Sequence, residues 1–584
     1  MNEMRMHRVN PMLETDFYKT IHHLAYIPGL DYLVSYWTPR KSRIEDTDKV
    51  VMFGLQALIK EHLIDDFNVH FFNRPWEEIE KEYKRVIANT MTVMASDTTE
   101  LKRLYDLGYL PIQIKAVPEG TRVNIKTPMF EITNTVKGFG WLVNYLETYI
   151  SVNIWHPMTV ATIAYKYREL VNKYFEKTVD NGVPATACGD FSMRGMTSKE
   201  TAYKASAGHL LSFTGSATIG AIMWLEDFYN CDCTKEVVGK GVPSTEHSVM
   251  SSYGRDGEFE CYRHLIEDVF KDGPLSIVSD TYDYWNVITN YLPKLKNSIL
   301  SRNGKIIIRG DSGDPVDIVC GTLRGKDYIS VDGLTEKDIK KYFAKKAEEE
   351  YAWDETSETV YNVRIGDFLY NVVCDHAWMV DTDENGEPDG EGYYSAGVEY
   401  VHYTKTAMTP EQKGTVELLW DIFGGTINSK GYKVLDPHIG AIYGDGITYD
   451  RASRIYERLS EKGFAVNNCT LGIGSYSYQY VTRDSLGFAL KATHSIINGE
   501  EHQIFKDPIT DKIQGNNFKK SQKGMCYVYK NDNGDIVYTD EHSMKEMNSD
   551  MFNNNLLELV FKNGKLIKDE SLMTIRNRLH NGNF

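Results

Sequence analysis

No uninterrupted apolar run reaches about 18 residues, the length a helix needs to cross a bilayer, so no segment reads as membrane-spanning. The opening residues, MNEMRMHRVNPML, hold neither a long apolar stretch nor a small-residue cleavage site, and no secretory signal is expected there. Low-complexity tracts and short internal repeats are also missing, which sets solenoid architectures aside. Positive charge is in deficit: 65 Lys and Arg against 82 Asp and Glu leave a net charge of −17. Such a chain suits neither nucleic acid nor an anionic membrane surface, although a local basic pocket for an anionic substrate stays open. Paired cysteines are scarce. Of the eight, at 188, 231, 233, 261, 320, 374, 469 and 526, only Cys231 and Cys233 are close, and C-x-C alone is a weak metal signal. Reduced thiols in a cytoplasmic protein are the expectation.

What is present is ordinary for a globular protein: 42% hydrophobic and 25% charged residues over 584 positions, enough for two or more domains with cores that need no disulfides. Thirty-eight tyrosines favour half-wet surfaces and stacking sites.

Short apolar runs that each end in a Gly/Asp loop dominate the middle of the chain. LSIV (275–278) precedes Ser279 and Asp280, III (306–308) precedes RGDSGDP, IGAIY (439–443) precedes Gly444, Asp445 and Gly446, and Thr470 and Leu471 precede GIGS (472–475). Runs of this kind fit strands buried on both faces. Asp280 and Arg309 are 29 residues apart, as are Asp445 and Gly474, which is the length of a β-α-β unit. Between the second pair, Ala452, Ile455, Tyr456 and Leu459 recur at helical spacing and Gly463 stands where a helix would be capped. Repeating β-α units predict an α/β fold with an irregular TIM-like barrel, whose catalytic groups sit at the carboxyl ends of strands.

The flanks alternate with period two: 112–117, 121–125 and 129–133 near the start, then CYVYKNDNGDIVYT and LLELVFKNGKLIKD at the end, where Asn-Gly marks hairpin turns. The expected organisation is a β-rich domain built from both ends (1–150 and 486–584) around an α/β catalytic domain (151–485). Residues 325–412, with a charged helix over 336–350 and a YYSAGVEYVHY strand, read as an insertion.

Several constellations carry chemistry. Asp280 and Asp283 follow one strand; Arg309, Asp311 and Asp314 follow another. Carboxylates there can bind ribose hydroxyls or hold Mg²⁺ against a diphosphate, or can simply cap turns. The loops GDG (444–446) and GIGS offer main-chain N–H groups to a phosphate. His247, in VPSTEHS, lies beside Glu246 among small hydroxyl residues and suits a base or a phosphate acceptor. Lys19, Arg40, Lys41 and Arg43, then Arg483, Lys491 and Lys506, are cations of the kind phosphates need. Asp381, Asp383, Asn385 and Gly386 begin like a calcium loop, but Gly392 stands where the bidentate Glu belongs, so a polar hairpin turn is expected.

In order along residues 12–510, TDFYKTIHH, VPEG, DFSMRGM, VPSTEHS, SIVSDTYD, IIRGDSGDPVDI, YGDG, TRDSLGFALKAT and FKDP resemble the nicotinamide phosphoribosyltransferases, a type II phosphoribosyltransferase family, in their long bacterial and phage-like form. The resemblance implies an irregular α/β barrel with a β-rich domain and a homodimer with shared active sites. It implies transfer from 5-phosphoribosyl 1-diphosphate to nicotinamide, with Mg²⁺ and with ATP as a coupling substrate through a phosphohistidine. By motif, Phe191 would stack on one face of the pyridine and the partner's Tyr18 on the other, with Ser276 at the carboxamide. Arg309 would border the base and Asp311 would hold the ribose. Arg194, Gly444, Asp445, Gly474 and Ser475, with Arg483 and Lys491 from the partner, would surround the 5′-phosphate. Asp16, Arg40 and Lys506 would lie near the diphosphate or ATP, Asp280 would support Mg²⁺ through the diphosphate, and His247, oriented by Glu246, would be phosphorylated.

Four positions depart from the family pattern. Ala217 replaces an Asp that accepts from the carboxamide, Gly241 and Gly189 replace Ser and His, and Gly310 replaces Pro. All remove bulk or a polar group. Beside nicotinamide phosphoribosyl transfer, three alternatives follow: transfer from ADP-ribose diphosphate to give NAD directly, nicotinate as the base, or an inactive nucleotide-binding homologue.

Overall fold

In the strand Ile112–Ala116, Ile112, Ile114 and Ala116 are buried and the residues between them are half-buried, the period-two signature of a strand with one face on a core. The computed structural model, which describes residues 9–331, 333–350, 358–385, 387–509 and 520–582, places it in an antiparallel sheet of seven strands. The order is Glu500–Gln503, Phe488–Ile497, Leu30–Pro39, Phe130–Asn134, Ile112–Ala116, Glu558–Lys562 and Lys565–Leu566. Both ends of the chain therefore share one sheet. Trp37 joins them: its ring stacks on Phe130 and Phe488, with centroids 5.7 and 5.2 Å away and planes within 9° and 13°. The last two strands turn at Asn563 and Gly564, both with positive φ (51° and 75°), the geometry Asn-Gly favours in a two-residue hairpin.

This sheet belongs to the first of two compact units, Met1–Asn172, Val183–Gly241 and Gly472–Phe584; the second holds Lys173–Gly182 and Val242–Leu471. The first unit also carries a short parallel pair, Cys188–Asp190 with Gly215–Ser216, beside which Lys240 continues the parallel pattern.

The second unit is mixed α/β around a parallel sheet. Leu275–Val278, Ile306–Gly310, Ile439–Tyr443 and the start of Cys469–Ile473 lie side by side in that order. Residues 243–245 extend the outer edge: Ser276 N–H donates to Pro243 O at 2.8 Å and Thr245 N–H to Ser276 O at 3.0 Å. Leu275–Val278 is buried throughout, which explains its continuous apolar run. The helix Tyr449–Glu461 buries Ala452, Ile455, Tyr456 and Leu459, is capped by the Thr448 hydroxyl, and stops before Gly463, whose φ is 74°.

The insertion leaves and returns at one crossing. Gly321 and Gly414 both take positive φ (86° and 81°), and a Cβ on Gly414 would stand 2.1 Å from the Gly321 nitrogen. Only glycine allows that backbone contact. Beyond it, the helix Ile339–Glu350 packs Ile339, Phe343 and Ala347 on Tyr361, Val363, Tyr370, Val372, Cys374 and Val401 of a small sheet. The insertion thus brings its own core and leaves the parallel strands continuous. Its acidic stretch is a hairpin turn, with the Asp383 carboxylate accepting the N–H groups of Asn385 and Glu387 at 2.8 and 3.0 Å; Gly386 lies outside the described residues. Among the described residues no group of three or more His, Cys, Asp and Glu is placed to hold a metal, and no helix is long and apolar enough to cross a membrane.

Candidate active site

In the second unit, the carboxyl ends of adjacent parallel strands bring Asp280, Arg309, Asp311 and Asp445 into one electrostatic neighbourhood. Two of the acids singled out in these loops turn out to be caps. Asp283 accepts the Asn286 N–H, and Asp314 accepts those of Val316 and Asp317 at the start of Pro315–Cys320. Asp280 and Asp311 are not spent that way. One oxygen of Asp280 accepts the Asp311 N–H at 3.1 Å, and the other is buried without a hydrogen-bonding partner among the described residues. The Asp311 carboxyl is raised from its ordinary pKa, chiefly by burial; Arg309 opposes the rise, while Asp280 and Asp445 add to it.

His247 opens a short helix facing these acids. Its Nδ1 is 3.0 Å from the Thr281 hydroxyl, and its Nε2 is 3.9 Å from Asp280 and 4.0 Å from Asp311. The expectation that Glu246 orients this histidine is corrected. Glu246 sits at the N-cap position, and its carboxylate accepts the Ser248 hydroxyl. Thr281 does the holding. Arg309 donates from Nη2 to Thr245 O at 2.9 Å, and its buried Nε has no hydrogen-bond partner among the described residues. Ser276, 2% exposed on the strand Leu275–Val278, has a buried hydroxyl that is likewise unpartnered. Gly444 and Asp445 follow Tyr443 at the neighbouring strand end; the Tyr443 phenol is pushed up, first by burial and then by Asp445, Asp280 and Asp311.

The first unit makes a second group. Gly189 and Asp190 pair with Gly215 and Ser216, and Gly215 pairs with Lys240, so Phe191, Ala217 and Gly241 each stand just past one of three adjacent parallel ends. On the other side of Phe191, its N–H donates to Ile473 O at 2.9 Å, which brings Gly474 and Ser475 alongside. Gly195 packs so closely on Ser475 that a Cβ there would stand 2.2 Å from the hydroxyl, and this fixes the exposed Arg194 loop against Ser475. Asp190, which the motifs did not single out, is the anchor. Fully buried, it accepts the Ser192 N–H and hydroxyl at 3.0 and 2.6 Å and the Thr218 hydroxyl at 3.1 Å. The local signal was there: Asp followed two residues on by Ser is an Asx-turn pattern.

A third group, also in the first unit, gathers the cations and the tyrosine. Glu147 pairs with Lys19 at 2.7 Å and with Lys491 at 3.3 Å, and Asp16 accepts the Thr148 hydroxyl. Tyr18 is 55% exposed, and its phenol is raised first by burial, then by Asp16 and Glu147, with Arg483 opposing. Arg40 is lowered by burial and by the like charge of Arg483. Among the described residues no contact brings the Lys506 side chain into this group, and no aromatic ring lies against Phe191.

The small residues do not all open space. A Cβ on Gly310 would meet Ile318 and Tyr443 at 3.3 Å and Tyr284 at 3.4 Å, and one on Gly189 would meet the Phe191 ring at 3.2 Å. Ala217 and Gly241 are exposed.

With this geometry in place, two family models match the chain: the nicotinate phosphoribosyltransferase (NAPRTase) family over residues 186–352 and 400–565, and the nicotinamide phosphoribosyltransferase N-terminal domain over 10–78. Among curated relatives, the nicotinamide phosphoribosyltransferase of Acinetobacter baylyi is 36% identical over 98% of this chain and 97% of its own length. Those of Xanthomonas campestris and Mycoplasma pneumoniae are 27% and 32% identical, covering 97% and 69% of this chain and the same shares of their own lengths. The chain belongs to the nicotinate phosphoribosyltransferase family.

Proposed function

We propose that this enzyme joins nicotinamide to 5-phosphoribosyl 1-diphosphate in the cytoplasm, releasing nicotinamide mononucleotide and diphosphate in NAD salvage. One observation carries the reading. Ser276 Oγ and Arg309 Nε on adjacent strands, and Asp280 Oδ1 just past the end of the first, are buried polar atoms without a hydrogen-bond partner among the described residues. Buried polar groups are usually satisfied, and these three fall on the strands and loop whose motifs the family resemblance assigns to substrate, which supports reading them as groups whose bonding substrate atoms complete. In this reading Ser276 takes the carboxamide, Arg309 borders the base, and Asp311 holds the ribose hydroxyls. Phe191 provides a flat face for the pyridine, which gains positive charge as its nitrogen attacks C1 and the diphosphate leaves. By motif, Arg194, Gly474 and Ser475 are read as 5′-phosphate ligands, and Gly444 and Asp445 are read the same way.

Mg²⁺ fits the acids present. Asp280, with its unpartnered oxygen, would hold the ion through the diphosphate, and the ion supplies neutralisation of the leaving group's charge. ATP is the coupling substrate, its terminal phosphoryl group passing to His247. Tyr18, Arg483 and Lys491 serve the site of a partner subunit, and the partner subunit's Tyr18 supplies the second ring that no described residue of this chain lays against Phe191, while Asp16, Arg40 and Lys506 lie near the diphosphate or ATP phosphates. The parallel strands are read as parts of an irregular α/β barrel.

The test follows labelled nicotinamide into the mononucleotide. Incorporation requires 5-phosphoribosyl 1-diphosphate and Mg²⁺ and stops with chelator; incorporation without the phosphoribosyl donor, or none at all, rejects the proposal.

A further inference from the structure

The carboxy-terminal helix Leu572–Leu579 carries a guanidinium into the core of the first unit. Ser571 caps the helix, and Leu572, Ile575 and Leu579 pack into one cluster with Leu210, Leu211 and Val238. Arg576, on the same buried face, is 0% exposed. Its Nε donates to Leu210 O at 2.8 Å, its Nη1 to Val237 O at 2.8 Å and its Nη2 to Val238 O at 2.6 Å. Burial lowers its pKa to about 10, which leaves it charged at neutral pH. Burying a cation is costly unless its donors are met, so this arrangement persists only because the forked group reaches carbonyls on two segments at once.

Those segments lead to the candidate base pocket. Leu210 ends the helix Lys199–His209, and four residues later the chain becomes Thr214, Gly215 and Ser216, with Ala217 next. Val237 and Val238 run into Lys240 and Gly241. The two meet in register: Lys240 N–H donates to Thr214 O at 2.6 Å and Ser216 N–H to Lys240 O at 2.9 Å. The pairing is short, a bridge rather than a ladder, so it has little strength of its own. Gly120 admits the helix from another side, since a Cβ there would stand 2.4 Å from Ile575 O.

We infer that Arg576 is a positioning residue for base binding: by clamping the carbonyls of Leu210, Val237 and Val238 it sets the register that places Ala217 and Gly241 beside Phe191. The inference rests on reading those three residues as the edge of the pyridine pocket.

The test compares the full-length protein with Arg576→Lys and Arg576→Met. It measures nicotinamide KM and kcat, KM for 5-phosphoribosyl 1-diphosphate, and amide hydrogen exchange at Ser216 and Lys240. In Arg576→Met we expect nicotinamide KM to rise about tenfold, kcat to hold within about twofold, and the donor KM to stay put, with faster exchange at both amides. Arg576→Lys, which keeps the charge but not the fork, falls between and remains folded if the Met variant does not. Unchanged exchange at both amides, or a kcat that falls with the folded fraction at unchanged nicotinamide KM, overturns the inference. Should the unaltered protein turn over no pyridine base, the pocket reading fails, and the exchange result still decides whether Arg576 sets the register.

Discussion

Asp280 holds Asp311 by its main chain: one carboxylate oxygen of Asp280 accepts the Asp311 N–H at 3.1 Å, while its other oxygen is buried without a hydrogen bond among the described residues. Two like charges are thus tied across neighbouring strands, and the Asp311 carboxyl is raised, first by burial. An acid whose pKa is higher in the folded state favours folding below its unfolded pKa of about 3.9 and loses that advantage as pH rises through the folded value. Asp311→Asn should therefore be more stable than the unaltered enzyme at pH 7.5, the gain vanishing near pH 4, while transfer falls by at least a hundredfold if the ribose is held as proposed (about 3 kcal/mol). Urea unfolding at the two pH values reads the first effect and initial rates the second. Equal stability at pH 7.5 would remove the electrostatic strain from the account.

Ser276 carries a buried hydroxyl with no hydrogen-bond partner among the described residues. Ser276→Ala removes an unmet group, so thermal stability should hold or rise. Nicotinamide should bind about five- to tenfold more weakly, the loss of one neutral hydrogen bond of about 1 kcal/mol. Calorimetric titration checks this, and unchanged affinity would free Ser276 from the carboxamide.

Ala217 stands exposed at a strand end, where the motif resemblance implies an Asp. Ala217→Asp should raise kcat/KM for nicotinamide over nicotinate by about five- to a hundredfold, because a carboxylate accepts from the amide and repels the acid (about 1–3 kcal/mol). A ratio that does not move would mean the base sits elsewhere.

His247 has its Nδ1 on the Thr281 hydroxyl and its Nε2 toward Asp280 and Asp311. His247→Ala should still transfer without ATP, but added ATP should no longer raise the rate, as measured by mononucleotide formed with and without ATP. An undiminished ATP response would take the phosphoryl group away from this residue.

Much of the fold could be read from residues 275–278, 306–308 and 439–443, because strands buried on both faces must be apolar without interruption. The Asn563-Gly564 turn and the helix before Gly463 were equally plain, since both depend on local backbone preference. Within the loops, Asp314 before Pro315 could have been recognised as a cap from the sequence, whereas the burial of Asp280 could not. Glu246 misled because adjacency in sequence does not fix the partner: at the N-cap its carboxylate takes the Ser248 hydroxyl, while Thr281, far along the chain, bonds the His247 ring. Gly310 misled for a related reason. The volume it vacates is filled by Tyr284, Ile318 and Tyr443, and no local pattern announces that convergence. The extra room that a larger donor would use is not provided there.

The most direct measurement offers the enzyme nicotinamide and nicotinate together, with Mg²⁺ and either 5-phosphoribosyl 1-diphosphate or ADP-ribose diphosphate, and weighs the products. The account predicts nicotinamide mononucleotide, one diphosphate released per product, formed from the phosphoribosyl donor. NAD formed from the ADP-ribosyl donor, the acid mononucleotide alone, or no product from either donor would contradict it.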